Sequence, residues 1–135
     1  MSPVMIHHVA LVVTELDRSV KFYKEVFGLV EIKRPPFTTD GAWLDCGGLQ
    51  VHLIVHPSGT FRNGNGIDNA DVHFAFHTGD FEAFVAKLES YGFREDAGEN
   101  DPMRMLVIRE GLAGFPQVYV LDPDRNIVEV NSAPH

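Results

Sequence analysis

The chain repeats itself. His8-Val9-Ala10-Leu11 and His73-Phe74-Ala75-Phe76 share the order His, apolar, Ala, apolar. Phe27-Gly28-Leu29 and Tyr91-Gly92-Phe93 share aromatic, Gly, apolar at nearly the same offset. Internal similarity of this kind restricts the fold to a unit used twice, and the order of strand and helix signals within each copy reads βαβββ. In the first copy a β-branched run over 5–13 suits a strand. Thr14 or Asp17 is placed to cap a helix whose apolar positions are Leu16, Val20, Tyr23 and Phe27, and Gly28 stands where a helix C-terminus needs it. Strands are expected over 42–46 and 49–55, joined by Gly47-Gly48 in a hairpin turn.

The second copy follows the same plan. A strand is expected over 71–76, and Asp80 opens a helix with Phe81, Phe84, Val85, Leu88 and Tyr91 on its buried side. Gly92 ends that helix, and strands are expected over 105–109, 117–121 and 126–131. The stretch from His56 to Gly66 is rich in turn formers and reads as a connection. The expected organisation is one domain over 1–135, with modules at about 4–56 and 70–132 and a linker at about 57–69.

Strand parity sorts the histidines. Side chains alternate between faces, so His8 and Ala10 oppose Val9 and Leu11, and Gln50, His52, Ile54 and His56 oppose Leu49, Val51, Leu53 and Val55. His73, Ala75 and His77 oppose Phe74 and Phe76, and Glu129 opposes Val128 and Val130. Each strand thus has an apolar face to pack against a helix and a mixed face that carries His8, His52, His73 and Glu129. Buried imidazole and carboxylate are costly unless paired or bound to metal. His7 falls on the apolar side and reads as a core or edge histidine, His56 and His77 as rim residues, and His135 as a disordered terminus. Trp43 and the phenylalanines of the helices read as core. Cys46 reads as a small buried hydrophobe with no base beside it, and Asp122-Pro123-Asp124 as a turn before the last strand.

Composition narrows the functional class. A formal charge of −8, with no cluster of Lys and Arg, argues against a nucleic-acid surface. No apolar run approaches a membrane span, and Met1 to Met5 lack the pattern of a signal peptide, so the expected compartment is the cytoplasm. The single cysteine agrees with a reducing compartment.

His8-Val9-Ala10-Leu11, the helix segment Asp17 to Tyr23, Phe27-Gly28-Leu29, and Asp122-Pro123-Asp124-Arg125-Asn126-Ile127-Val128-Glu129 resemble, in this order, the vicinal oxygen chelate superfamily. That superfamily includes glyoxalase I, extradiol dioxygenases, fosfomycin-resistance proteins and methylmalonyl-CoA epimerase. The resemblance covers nearly the whole chain and is closest to a glyoxalase-like single-domain subgroup. It implies an α+β fold in which two tandem βαβββ modules form a curved mixed sheet around a metal site, with the helices on the outer face. It also implies that His8, His73 and Glu129 are metal ligands. His52 maps to the position of a fourth ligand, where glyoxalase I has a glutamate, and its role stays open. A homodimer and a small-molecule substrate are implied in the same way.

A site of imidazoles and one carboxylate without thiolate suits Ni²⁺, Co²⁺, Zn²⁺, Fe²⁺ or Mn²⁺. The leading expectation is proton-transfer isomerisation or lyase chemistry of the lactoylglutathione lyase kind on a small oxygenated substrate, with Glu129 as the base. Two alternatives stand beside it: extradiol-type ring cleavage, and a binding or resistance protein without turnover. Phe37 and Phe115, in loops, are candidates for the edge of a substrate pocket.

Overall fold

The computed structural model of the protein describes residues 3–134, in two compact units that meet between Phe61 and Arg62. Each unit has its own four-stranded sheet. In the first, β1 (His8–Val13), α1 (Leu16–Phe27), β2 (Val30–Ile32), β3 (Gly41–Cys46) and β4 (Leu49–Val55) give the strand order β1-β4-β3-β2. In the second, β5 (His73–His77), α2 (Phe81–Ser90), β6 (Leu106–Ile108), β7 (Gln117–Leu121) and β8 (Ile127–Asn131) give β5-β8-β7-β6. The first strand of each unit runs parallel to its last, and the remaining pairs are antiparallel. The duplicated βαβββ plan is therefore present twice over, with the same order and the same polarity.

Local sequence explains most of these elements. Gly47 and Gly48 sit at φ 59° and 103°, the two left-handed positions of a tight hairpin, and Cys46 pairs with Leu49 across them. Gly28 closes α1 at φ 73°, its N–H donating to the Lys24 carbonyl while the Leu29 N–H donates to that of Tyr23. Leu29 is thereby turned into the core, and Phe93, after Gly92, is buried in the same way. Asp80 caps α2 as expected, accepting from the Ala83 N–H at 3.1 Å.

Three local expectations need correction, and one strand escapes the sequence pattern. Neither Thr14 nor Asp17 caps α1. Glu15 occupies the N-cap, the Thr14 hydroxyl accepts instead from Arg18 at 3.2 Å, and Asp17 lies inside the first turn. There its charge complements the helix N-terminus. Strand β1 starts at His8 rather than at Met5, because its partner β4 begins only at Leu49, and Val4, Met5 and Ile6 are exposed. Tyr91 is exposed at the C-cap of α2, and Phe93 takes the buried place assigned to it. The short edge strand β2 carries too little pattern to be read from three residues, one of them the exposed Val30.

Parity holds in the strands that do form. In the first unit Ala42, Leu44, Val51, Leu53 and Val13 are buried with Tyr23 and Val26 of α1, which packs across β2, β3 and β4. In the second, Val118, Val120, Val128 and Val130 are buried, as are Phe81, Val85 and Leu88 of α2. The opposite face of each sheet is where the polar side chains lie.

Candidate metal-binding site

The two sheets place their polar residues by the same rule. Strand β4 sets Ala10 on one side of His52 and Trp43 on the other. Strand β8 sets Ala75 on one side of Glu129 and Tyr119 on the other. His52 and Glu129 thus hold equivalent positions, each flanked by a small residue that leaves room and an aromatic that walls it. Both are only 6% exposed. His8 and His73 are the matching residues two places before those alanines.

In the first unit the His8 ring stacks on His52 with centroids 3.8 Å apart and an angle of 14°. Trp43 stacks on the other face of His52 at 4.2 Å and 4°. Gln50 fixes the His52 tautomer: its amide oxygen lies 2.8 Å from Nε2, so Nε2 carries the proton and Nδ1 keeps a lone pair. Burial pushes the His52 pKa below the usual histidine value, and the nearby His8, His7 and Arg34 push it the same way. A neutral imidazole is the form that binds metal.

In the second unit Glu129 has three polar neighbours. His73 Nε2 stands 3.2 Å from Oε1, Asn131 Nδ2 donates to Oε2 at 2.7 Å, and Gln117 Nε2 reaches Oε2 at 3.5 Å. The other His73 nitrogen, Nδ1, lies 2.8 Å from the Asp71 carbonyl and so must be its donor. A ring nitrogen donating to a backbone carbonyl is the usual support of a metal-ligating histidine, since it turns the opposite nitrogen toward the ion. Tyr119 completes the wall. Burial, then the charge and hydrogen bond of Glu129, push its phenol up to about 12, so it stays protonated at neutral pH. Tyr119, Leu121 and Ile127 pack with Ile67, Leu106 and Ile108 to keep this flank apolar.

These donors fit a divalent ion. Bonds of about 2.0–2.1 Å to imidazole nitrogen and carboxylate oxygen put neighbouring ligands roughly 3 Å apart, and the 3.2 Å between His73 Nε2 and Glu129 Oε1 meets that spacing. The hairpin leading into β8 is pinned by hydrogen bonds: Asp122 Oδ1 accepts from the Asp124 and Asn126 N–H groups, and Arg125 takes a left-handed φ of 66°. Asp122-Pro123-Asp124 is thus the turn the sequence suggested. Arg62, which no sequence pattern marks, ties down the segment before β5 through Asp71 at 2.8 Å and the carbonyls of Gly66 and Arg125.

Of the sequence candidates, His8 and His52 are brought together in one unit, and His73 and Glu129 in the other. Two readings are overturned. His7 is not a core or edge histidine: it precedes β1, so strand parity does not govern it, and its exposed ring meets His8 with Nδ1 atoms 2.9 Å apart. Trp43 is not core, since it alternates with the buried Ala42 and Leu44 and lies on His52. Phe37 is 55% exposed, tilted against Trp43 at 6.1 Å and covered by the Arg34 guanidinium. Phe115 is half-buried just before β7. His56, one residue past β4, accepts from the Ser58 N–H, and His77 donates to the Ala133 carbonyl. His135 lies outside the described residues. Cys46 is half-buried, and burial followed by the adjacent Asp45 raises its thiol pKa, which disfavours a thiolate nucleophile. The supporting residues Gln50, Gln117, Tyr119 and Asn131 were missed, although their strand parity, shared with His52 and Glu129, was a signal.

The sequence pattern of the Glyoxalase/Bleomycin resistance protein/Dioxygenase superfamily matches residues 5–130. The chain belongs to that superfamily. Among curated relatives, it is 30% identical over 127 residues to "Glyoxylase I 4" of Arabidopsis thaliana, covering 93% of this chain and 68% of that one. It is 26% identical over 126 residues to "Glutathione transferase FosA" of Serratia marcescens, covering 93% and 79%. The solved lactoylglutathione lyase of Agrobacterium tumefaciens shares the fold, with a TM-score of 0.69 at 23% identity over 98% of this chain and 96% of that one. Superfamily membership agrees with the doubled βαβββ plan. Among the described residues no helix is long and apolar enough to cross a membrane.

Proposed function

We propose that the protein is a divalent-metal-dependent enzyme of the glyoxalase kind, which isomerises a small α-hydroxycarbonyl or hemithioacetal substrate by proton transfer. The observation that carries this reading is the buried Glu129 carboxylate, set 3.2 Å from a His73 nitrogen whose ring is held in the ligand tautomer. His73 and Glu129 are the proposed ligands from the second unit, and His8 and His52, at the equivalent positions, those from the first. When bound, the ion supplies positive charge to stabilise two neighbouring substrate oxygens as they become negative. The equivalence of His52 and Glu129 and the 30% identity to a protein named for glyoxalase I support the reading.

Glu129 is the proposed base. It takes the proton from the carbon that bears the hydroxyl and returns it to the neighbouring carbon, while the hydroxyl proton passes to the former carbonyl oxygen, so no proton is gained or lost overall. Asn131 and Gln117 hold Oε2, leaving Oε1 on the His73 side. The apolar flank formed by Tyr119, Leu121 and Ile127 keeps water from quenching the intermediate enediolate. Phe37 and Phe115 are proposed to border the substrate, and a homodimer is the proposed assembly.

The test is turnover of a hemithioacetal and α-hydroxycarbonyl panel by protein loaded separately with Ni²⁺, Co²⁺, Zn²⁺, Fe²⁺ and Mn²⁺. Metal-dependent isomerisation that falls about 10²-fold or more in Glu129→Gln is the expected result. Inertness toward the whole panel in every metal form refutes the reading, and oxygen uptake with a catechol under Fe²⁺ replaces it with ring cleavage.

A further inference from the structure

We propose that Arg62 is a positioning residue for the His73–Glu129 pair, holding together the ends of the two strands that carry them. That the pair then serves a metal ion rests on the proposed function; the way Arg62 holds it does not. Every residue involved lies in the second unit. Strands β5 and β8 pair in parallel from His73, opposite Ile127, onward. Carried two residues back, the same register sets Asp71 opposite Arg125, before either strand has begun. The ladder does not reach these positions, yet both lead straight into the site.

Arg62 supplies the tie that the ladder lacks. Its Nε donates to Asp71 Oδ2 at 2.8 Å, and its Nη1 donates to the Arg125 carbonyl at 2.5 Å. Nη2 donates to the Gly66 carbonyl at 2.6 Å, and the Arg125 guanidinium reaches back to the Gly64 carbonyl. One planar cation thus joins the entry to β5, the entry to β8 and the loop that precedes them. The Arg62 side chain is only 6% exposed, so these charge-assisted bonds are shielded from water and strengthened by it.

Asp71 passes the constraint on to His73. Its N–H donates to the Asp68 carbonyl at 3.0 Å, Oδ1 accepts from the Val72 N–H at 2.7 Å, and Oδ2 accepts from Arg62. The remaining polar group, the backbone carbonyl, accepts from His73 Nδ1 at 2.8 Å. That bond fixes the ring rotation that sets Nε2 3.2 Å from Glu129 Oε1. The His73 side chain is 25% exposed, so packing alone does not wedge the ring. A lysine at position 62 would keep the charge, but a single ammonium lacks the rigid fork that meets three acceptors from different sides.

The experiment compares full-length wild type, Arg62→Met, Arg62→Lys and Leu88→Ala. Metal-free crystal structures come first, then Co²⁺ titration followed by calorimetry and by the visible absorption of the ion. Leu88 is fully buried on α2 and takes no side-chain part in these hydrogen bonds, so Leu88→Ala is a control for lost stability, gauged by urea midpoints. The expected result in Arg62→Met is loss of the His73–Asp71 bond, a changed Co²⁺ spectrum and affinity lowered at least about tenfold. Arg62→Lys is expected to lose at least about threefold in affinity, and Leu88→Ala to keep the bond, the spectrum and an affinity within about threefold of wild type. A His73–Asp71 bond that persists in Arg62→Met overturns the inference, and so does wild-type affinity in that variant. Equal losses in Leu88→Ala overturn it too, because the effect then follows stability. If Arg62→Met does not fold, an unmoved His73 or unchanged affinity in Arg62→Lys overturns it. If the wild type itself takes up no Co²⁺, the proposed function loses its ion, and the His73–Asp71 bond alone decides on Arg62.

Discussion

Replacing Asn131 with alanine removes two hydrogen bonds at the end of β8. One is the 2.7 Å donation from Nδ2 to Glu129 Oε2, and the other is the 3.1 Å acceptance by Oδ1 from the Ala133 N–H. They are not equal. Glu129 is only 6% exposed, so water does not replace the lost donor, and a hydrogen bond to a charged group contributes about 1.5–3 kcal/mol. Ala133 is half-buried and its N–H recovers part of its loss from solvent, which puts that bond at about 0.5–1 kcal/mol. The variant is therefore expected to be about 2–4 kcal/mol less stable. The assay is urea unfolding of Asn131→Ala, Glu129→Met and the double variant, since the cycle isolates the contact between the two side chains. A coupling of about 1.5 kcal/mol or more is expected. If it falls below about 0.5 kcal/mol, the carboxylate does not depend on Asn131 and the account of how Glu129 is held is wrong. Under the proposed function the same variant also lowers metal affinity or activity about 10- to 100-fold, the usual effect of losing an outer-shell partner.

Two further outcomes follow from the packing and the electrostatics. Leu44 is fully buried at the centre of β3, so Leu44→Ala is expected to cost about 2–5 kcal/mol in chemical denaturation, against roughly 0.5 kcal/mol for Val30→Ala on the exposed edge strand. Tyr119 has its phenol raised to about 12 by burial first and Glu129 second. A raised pKa means that its stabilising contribution is complete below the unfolded value of 10.0 and is lost as pH climbs through the folded value. Ultraviolet titration of wild type against Tyr119→Phe should show Tyr119 ionising late, with stability falling between about pH 10 and 12, and an ordinary titration of Tyr119 would contradict its enclosure beside the carboxylate.

Much of the architecture was legible because it is written in short-range pattern. The matching His-apolar-Ala-apolar segments mark the repeat, and the glycines after each helix and the paired glycines of the hairpin stand at left-handed positions that favour glycine whatever surrounds them. Alternation then separated His8, His52, His73 and Glu129 from the core positions, a distinction that needs only the two-residue period of a strand. The same tool failed at His7 and at Met5. Alternation says nothing where no partner strand exists, and β1 begins only where β4 begins.

What the sequence by itself determined was the repeated βαβββ unit and the residue types able to meet an ion. Only the tertiary structure decided how those residues are held. It paired Trp43 and Ala10 across His52, and Tyr119 and Ala75 across Glu129. It also gave Gln50, Asp71 and Asn131 the task of fixing tautomer and orientation. It turned His7 toward His8 and left Trp43 on a histidine instead of in the core. These outcomes depend on strand register and side-chain rotamer. Both are set by contacts between residues far apart along the chain, which no local period encodes.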